Sequence, residues 1–566
     1  MLITILYIYQ NNQKTLNKIF ASMKKTNFLI IFLMMLLSDF LNAQSEVLTG
    51  SNIAVANTNN GKVRGYIKNS TYTYKGIPYA EAKRFEASKA LLPWKGIKST
   101  TMYGPVSPLM NPTTKIQDES EFVFDHDWGF SNENCLNLNV WTPGINDNKK
   151  RPVLFWIHGG GFTTGSSHEL PSYDGGNLSR KGDLVVVSIN HRLNVLGFLD
   201  LSAYGSKYNH SANNGILDIA RALEWVRDNI SSFGGDPNNI TIAGQSGGGA
   251  KVNTLMAMPK AKGLFHKALN QSGSFRGGIL DKNTTQAIAA ETLYQLKIDS
   301  KNIDTIQTIP FQALADASSK AIQVISAKMS KEGKPILGFG LNWGPSQDGS
   351  DLPYQTSSPE ALELSKEIPL LIGTTKNEFA PFQSLRFVDS EDQKIMAYLK
   401  QKYKEKTEAY IKAVKKAYPN DTNTKDLIDV DLMFRPGAVN QANEKSLLKD
   451  GAPVYMYLFT WQSPVFDGKY KSLHCMEIPF AFDNITLANQ MTGGGKEAFI
   501  LADKMSQSWI NFVKTADPNH DKIPNWPQYN QKNTSTMRFD LNCEVKPQMD
   551  KELFEIIQGK QTLQFN

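Results

Sequence analysis

The chain has 566 residues, of which 20% are charged and 41% hydrophobic, and its formal net charge is +7. This composition is typical of a globular protein and excludes a disordered or fibrous chain. Four lysines and one aspartate lie in residues 1–43, which leaves a net charge of +4 for the rest. So mild an excess on a large surface supports solubility and does not indicate nucleic-acid binding.

The N-terminal segment has the pattern of an export signal. Met23-Lys24-Lys25 is a short positive region, the apolar run 28–37 follows, and Leu41-Asn42-Ala43 resembles a cleavage site. We therefore predict a signal peptide over residues 1–43, a mature start at Gln44, and a periplasmic or extracellular location in a bacterium. The apolar run is short for a membrane span, and an uncleaved anchor is the alternative. A true start at Met23 is also open.

The rest of the chain is predicted to form a single domain over residues 44–566, because no repeat, low-complexity tract or long linker divides it. The cysteines, Cys135, Cys475 and Cys543, allow at most one disulfide and match no zinc pattern. So few cysteines in an exported protein fit a bacterial periplasmic or extracellular protein, whose large core needs no disulfides for stability.

Strand and helix patterns alternate along the chain after an antiparallel start. Short runs between residues 57 and 94 predict edge hairpins, and 105–128 is predicted as loop. Apolar or alternating runs predict strands at 136–141, 153–157, 183–190, 239–243, 268–273, 368–373 and 454–461. Helical spacing of apolar residues predicts helices at 218–230, within 281–335, within 389–418 and at 499–512.

These units predict an α/β fold with a large, mainly parallel, doubly wound sheet, antiparallel N-terminal edge strands and helical insertions. The stretch 389–418 is rich in lysine. We interpret it as a solvated helical face, with a functional basic patch as the alternative.

The stretch Gly244-Gln245-Ser246-Gly247-Gly248 lies between a predicted strand and a helical pattern. A Gly-x-Ser-x-Gly run in that setting is a nucleophile elbow, a sharp turn that holds the serine hydroxyl above the sheet. The flanking glycines are needed because a Cβ there would collide with the neighbouring strand or helix. We therefore predict that Ser246 is a nucleophile, with an ordinary turn as the alternative.

A serine nucleophile needs a base, and chain order selects one. The histidines after Ser246 are His266, His474 and His520. His266 is predicted on a helix just after the elbow, and His520 lies in a polar turn. His474 follows a buried strand by a loop and is the predicted base.

The acid that orients the base is expected just beyond a strand between the serine and the histidine. Glu378 lies just beyond the predicted strand 368–373 and is the predicted acid. Asp348 and Asp351 are rivals, but they follow no clear buried strand.

A glycine run after the strand 153–157 completes the expected site. His158-Gly159-Gly160-Gly161 directly after a buried strand is an oxyanion signature. The N–H groups of Gly160 and Gly161 are predicted to bind the oxyanion, with that of Gly247 as a third donor. One such donor is worth roughly 3 kcal/mol of transition-state stabilisation. A flexible glycine loop is the alternative.

Taken together, these residues resemble the type-B carboxylesterase family of α/β-hydrolases, which includes the bacterial para-nitrobenzyl esterases. The resemblance covers nearly all of the chain after the predicted signal. Matching stretches lie at 76–80, 133–139, 156–162, 233–237, 263–265, 271–273, 477–480 and 526–529. It implies an α/β-hydrolase fold and the triad Ser246, Glu378 and His474, which chain order indicates independently.

The chain departs from the family pattern at several positions. Gly247 stands where the family usually has alanine; because its N–H is kept, we expect the missing methyl to matter little. Asn134 and His191 replace a usual Asp and Tyr at positions that we interpret as structural. Cys135 matches a cysteine that is commonly bonded to one upstream, and this chain has no upstream partner.

The sequence thus predicts a secreted serine carboxylesterase that acts on small-molecule esters through an acyl-enzyme. No metal or cofactor is needed, and neither nucleic acid nor stable membrane insertion is expected. A non-catalytic adhesion protein of neuroligin type and an amidase with the same triad are the alternatives.

The variable segments 281–342 and 379–454 are expected to line the substrate site. Trp343, Phe379 and Phe382 are candidates for contact with aryl or acyl groups, with core packing as the alternative for each.

Overall fold

The computed structural model describes residues 46–110, 119–274, 278–334, 340–384, 387 and 390–557, so the predicted signal segment 1–43 lies outside the described residues. The strands are β1 (Val47–Leu48), β2 (Val55–Thr58), β3 (Gly61–Arg64), β4 (Tyr66–Lys68), β5 (Thr71–Pro78), β6 (Ile97–Ser99), β7 (Asn137–Thr142), β8 (Arg151–Ile157), β9 (Val185–Ile189), β10 (Gly235–Gln245), β11 (Lys267–Gln271), β12 (Leu280–Asp281), β13 (Ser346–Gln347), β14 (Leu370–Thr375), β15 (Val454–Phe459), β16 (Thr536–Phe539) and β17 (Glu544–Lys546).

The α-helices are Glu119–Phe124, Gly176–Gly182, Asn194–Phe198, Asn214–Asn229, Gly247–Met256, Lys282–Leu296, Phe311–Lys331, Pro359–Leu364, Ala380–Ser384, Asp392–Tyr403, Thr407–Ala417, Phe434–Ser446, Ile478–Ala481, Asn489–Thr492, Lys496–Thr515 and Lys551–Ile557. Each region predicted as helical overlaps at least one of them. Among the described helices, none combines the length and apolar character that a membrane span needs.

A 12-stranded sheet runs through the protein in the order β1-β4-β5-β7-β9-β8-β10-β11-β14-β15-β16-β17. The strands from β9 to β16 in that order pair in parallel. Both flanks are antiparallel, from β1 to β9 on one side and between β16 and β17 on the other. The predicted mainly parallel sheet with antiparallel N-terminal edge strands is confirmed.

The central strands read as continuous apolar runs because both faces of the sheet are covered. In β8, Val153, Phe155 and Ile157 pack into one hydrophobic core, whereas Leu154 and Trp156 pack into the other. The first core includes residues of the helix Asn214–Asn229 and the second includes residues of the helix Lys496–Thr515. The sheet is therefore doubly wound, as predicted.

The structure corrects the sequence predictions in two places. The region 105–128, predicted as loop, contains the helix Glu119–Phe124, which buries Val123. His266, predicted on a helix, lies directly before β11, and its Nδ1 accepts a hydrogen bond from the Ile240 N–H at 3.1 Å. Short elements of this kind carry too few residues for a periodic signal to show.

The three cysteines are free thiols, and Cys135 is buried. Burial raises the pKa of the Cys135 thiol to about 12. This side chain is a small apolar component of the core.

Candidate active site

The chain reverses direction sharply at Ser246, between β10 and the helix Gly247–Met256. Ser246 has φ 57° and ψ −123°, a conformation that residues with a side chain rarely adopt. A Cβ on Gly244 would lie 2.4 Å from the Gly248 carbonyl carbon, and one on Gly248 would lie 2.0 Å from the Ile157 oxygen. The sharp turn and the need for both flanking glycines are as predicted.

Glu378 and His474 meet at the carboxyl edge of the sheet. Glu378 follows β14 and His474 follows β15, and these two strands pair in parallel, so their loops emerge side by side. The His474 Nδ1 hydrogen-bonds the Glu378 Oε2. The His474 backbone N–H also donates to the Glu378 carbonyl oxygen at 3.1 Å, which ties the two loops together.

The Glu378 carboxylate is buried and hydrogen-bonded on both oxygens. Its Oε1 accepts from the Ser272 hydroxyl at 2.6 Å and from the Thr375 N–H at 2.8 Å. Burial raises the pKa of Glu378, and these two hydrogen bonds act in the opposite direction. Ser272 was missed by sequence reasoning, although it follows β11, the neighbour of β14, and so ends at the same edge.

The His474 imidazole packs against two aromatic rings that also contact each other, with centroid distances of 4.2 Å to Phe379 and 4.9 Å to Phe434. Burial lowers its pKa, so the ring is neutral at neutral pH and can accept a proton. Because Nδ1 faces the Glu378 carboxylate, Nε2 is the accepting nitrogen.

Ser246 and His474 line the same cavity. Within the described part of the chain, however, no hydrogen bond joins them, and the Gln245 amide nitrogen lies 3.3 Å from the His474 Nε2. The Gln245 Oε1 accepts from the Cys475 thiol at 3.1 Å. Contacts between nucleophile and base often tighten only when substrate binds.

The rivals for the acid and the base have other partners. Asp348 accepts from the Asn213 amide at 3.0 Å, and Asp351 pairs with His210 at 2.6 Å. The His520 Nε2 lies 3.0 Å from the Ser508 hydroxyl. None of the three rivals lines the cavity that contains Ser246.

The glycine run 158–161 follows β8, and its three glycines border the same cavity, as does Gly247. β8 pairs in parallel with β10, so the run emerges beside the elbow. Among the described residues, no hydrogen bond uses the N–H groups of Gly160, Gly161 or Gly247. These groups are available to an anionic oxygen, and Gly247 also opens a helix, whose N-terminus favours negative charge.

Gly247 has a tighter environment than the sequence suggests. A Cβ on this residue would lie 2.3 Å from the Gly161 oxygen and 2.4 Å from the Gly161 nitrogen and Cα. An alanine at this position would therefore force the glycine run 158–161 to move, and the expectation that the oxyanion donor is kept without the methyl stays a prediction.

The cavity around Ser246 has a volume of about 700 Å³. Its wall includes Trp343 and Phe379 and residues 278–281 and 340–345, so the predicted variable segments contribute. Phe382 does not line it and packs against Tyr470 at a centroid distance of 5.9 Å.

Sequence reasoning missed a second aromatic wall, which comes from the region predicted as loop. Phe124, His126 and Trp128 line the cavity and stack in sequence, with centroid distances of 5.3 Å and 4.4 Å. The alternation of aromatic and polar residues over 124–128 is the signal that could have indicated it. Across the described residues, no group of three or more His, Cys, Asp or Glu side chains is arranged to hold a metal ion.

The family model described as "Carboxylesterase family" matches residues 52–557. The para-nitrobenzyl esterase of Bacillus subtilis (strain 168) is 33% identical over 88% of this chain and 97% of its own length. The phenmedipham hydrolase of Pseudarthrobacter oxydans is 31% identical over 84% of this chain and 92% of its own.

Among solved structures, an esterase from Clostridium hathewayi that can hydrolyse aliphatic aromatic polyesters matches with a TM-score of 0.80. It is 35% identical over 92% of this chain and 100% of its own. A Ser-Glu-His triad is typical of the family. The α/β-hydrolase fold predicted from the sequence is thus confirmed, and the chain belongs to the carboxylesterase family and is a carboxylic ester hydrolase.

Proposed function

We propose that the protein is an exported serine carboxylesterase that cleaves small-molecule esters through an acyl-enzyme on Ser246. The Ser246 oxygen attacks the ester carbonyl carbon while its proton passes to the His474 Nε2, and Glu378 holds the Nδ1–H. The N–H groups of Gly160, Gly161 and Gly247 bind the oxyanion. The His474 proton then goes to the departing alcohol, and a water molecule repeats the sequence on the acyl group.

One observation carries this proposal. A strained serine, a buried Glu378–His474 pair and three N–H groups without partners among the described residues border one cavity. An adhesion protein has no need of a strained serine or of unbonded N–H groups, because both lower the stability of the fold and serve a purpose only in catalysis.

We propose further that the preferred esters carry an aromatic group. The wall formed by Phe124, His126 and Trp128 offers ring faces for stacking, and the Trp343 side chain also borders the cavity. Two of the similar proteins support this substrate class, since one is a para-nitrobenzyl esterase and the other can hydrolyse aliphatic aromatic polyesters.

Replacing Ser246 with alanine is expected to lower kcat for p-nitrophenyl acetate by a factor of about 10⁶, because the acyl-enzyme cannot form. Diethyl p-nitrophenyl phosphate should phosphorylate the wild-type protein on Ser246, as measured by peptide mass spectrometry. Ser300→Ala, at an exposed serine outside the cavity, is the control and should retain full activity. Full activity of Ser246→Ala would overturn the mechanism, and an unlabelled, inactive wild type would favour the binding protein.

Gly247→Ala is expected to lower kcat by about 10- to 100-fold, since it displaces the Gly161 backbone and with it an oxyanion donor. Steady-state kinetics on p-nitrophenyl acetate measure the change. Gly495→Ala is the matched control, because a Cβ there meets no atom within 4 Å. An unchanged kcat in Gly247→Ala would show that the Gly161 backbone does not lie as close to Gly247 as the structure has it.

Trp128→Ala is expected to lower kcat/KM for benzyl acetate by about 5- to 10-fold, because a stacking surface is worth about 1 kcal/mol. Ethyl acetate, which has no ring, should change by less than about twofold. Acid release in a pH-stat follows both reactions. Phe130→Ala is the control, since Phe130 is 70% exposed and does not line the cavity. Equal losses for the two esters would argue against an aryl subsite.

Export rests on the positive region at Met23, the apolar run 28–37 and the cleavage pattern that ends at Ala43. Expression of the full chain in a Gram-negative host should give a protein in the periplasm or medium whose N-terminus is Gln44, as determined by intact mass. Replacing Leu33 and Leu36 with arginine should hold the chain in the cytoplasm. A full-length chain in the membrane fraction would instead indicate an uncleaved anchor.

A further inference from the structure

Lys251 is a fully buried lysine behind the glycine run 158–161. It lies in the helix Gly247–Met256, one turn beyond the elbow, with 0% of its surface exposed. Its ammonium donates to the His158 carbonyl oxygen at 3.1 Å and to the Gly159 carbonyl oxygen at 3.4 Å. Burying an ammonium is costly, and methionine would fill a similar volume without that cost.

The second of these carbonyls belongs to the peptide group that carries the Gly160 N–H. A peptide group is planar and trans, so its oxygen and its hydrogen point in opposite directions. An ammonium that holds the Gly159 oxygen from behind therefore helps to fix the direction of the Gly160 N–H in front, together with the His158 Nδ1, which lies 3.0 Å from the same oxygen. A cation on the oxygen also polarises the peptide group, which makes its N–H a stronger donor.

A carboxylate in the same region compensates the charge. Glu169 is buried, lines the cavity and has the largest electrostatic influence on Lys251 after burial itself. Glu169 lies beside the same loop, because a Cβ on Gly165 would meet its Oε2 at 3.1 Å and the Gly159 oxygen at 2.8 Å. The Tyr173 hydroxyl donates to the other Glu169 oxygen at 3.4 Å.

We propose that Lys251 is a positioning residue that orients and polarises the Gly160 peptide group as an oxyanion donor, with Glu169 as its counter-ion. This inference rests on the proposed function, in which the Gly160 N–H stabilises the oxyanion. It assigns a role in the transition state, because the ground-state ester has no full negative charge for a polarised N–H to bind.

Lys251→Met is expected to lower kcat for p-nitrophenyl acetate by about 10- to 100-fold, with KM changed by less than about twofold. Lys445→Met is the matched control. Lys445 is also buried, and its ammonium donates to the Ser365 carbonyl oxygen at 2.7 Å, but it does not line the cavity. The control should keep the wild-type kcat, since only a backbone contact remote from the site is lost.

The pH profile separates positioning from simple packing. Burial lowers the pKa of Lys251 to about 7, and the Glu169 carboxylate opposes this shift. His158 and His191 also face Lys251, and burial lowers the pKa of both, so they stay neutral as the pH rises. As the pH rises through the pKa of Lys251 the ammonium loses its charge, so kcat should fall on the alkaline side.

In Lys251→Met this alkaline fall in kcat should be absent. In Glu169→Gln it should move to lower pH, because the opposing carboxylate is gone. Glu169→Gln also tests the inference if Lys251→Met does not fold, as judged by near-UV circular dichroism. The inference would be overturned if Lys251→Met kept the wild-type kcat and pH profile. It would also be overturned if the alkaline fall in kcat occurred at the same pH in Glu169→Gln as in the wild type. If Ser246→Ala stays active, the proposed function fails instead.

Discussion

The parallel pairing of β8 with β10 is the constraint on which the site depends. The register places Ile157, the last residue of β8, opposite Gly244. The two strands therefore end at the same level, and the run 158–161 emerges beside Ser246. The approach is so close that only glycine fits at 244 and 248. The proposed nucleophile and oxyanion donors are thus brought together by backbone pairing, before any side-chain contact is considered.

The interior around the site disfavours charge. Burial raises the pKa of Glu169, Asp431 and Glu477 to about 7 and lowers the pKa of His474. In such surroundings a fixed N–H dipole stabilises an oxyanion more strongly than it would in water. In the same surroundings the hydrogen bonds from Ser272 and Thr375 are important, because they stabilise the negative charge of the Glu378 carboxylate. That charge stabilises His474 when the imidazole takes up a proton.

Much of the fold and the residues that meet at the candidate site could be predicted because the relevant signals are local. Apolar runs located β8, β10 and β14, and chain order together with position after a predicted strand selected Glu378 and His474. The remaining features depend on contacts between distant segments. Ser272 matters because β11 lies next to β14, and Lys251 matters because its helix packs behind the run 158–161. The close approach of Gly247 to Gly161 could not be predicted for the same reason, since 86 positions separate the two residues.

The residues around the cavity come from two kinds of segment. The loops that carry Glu378 and His474 are tied to each other by a backbone hydrogen bond and follow paired strands of the sheet, β14 and β15. The walls come instead from segments inserted between the strands, such as 124–128 and 340–345. A substitution in a wall therefore leaves the strand ends and their hydrogen bonds intact. The range of esters accepted can change in evolution by single steps in these insertions, while the hydrolytic step and the stability of the core stay the same.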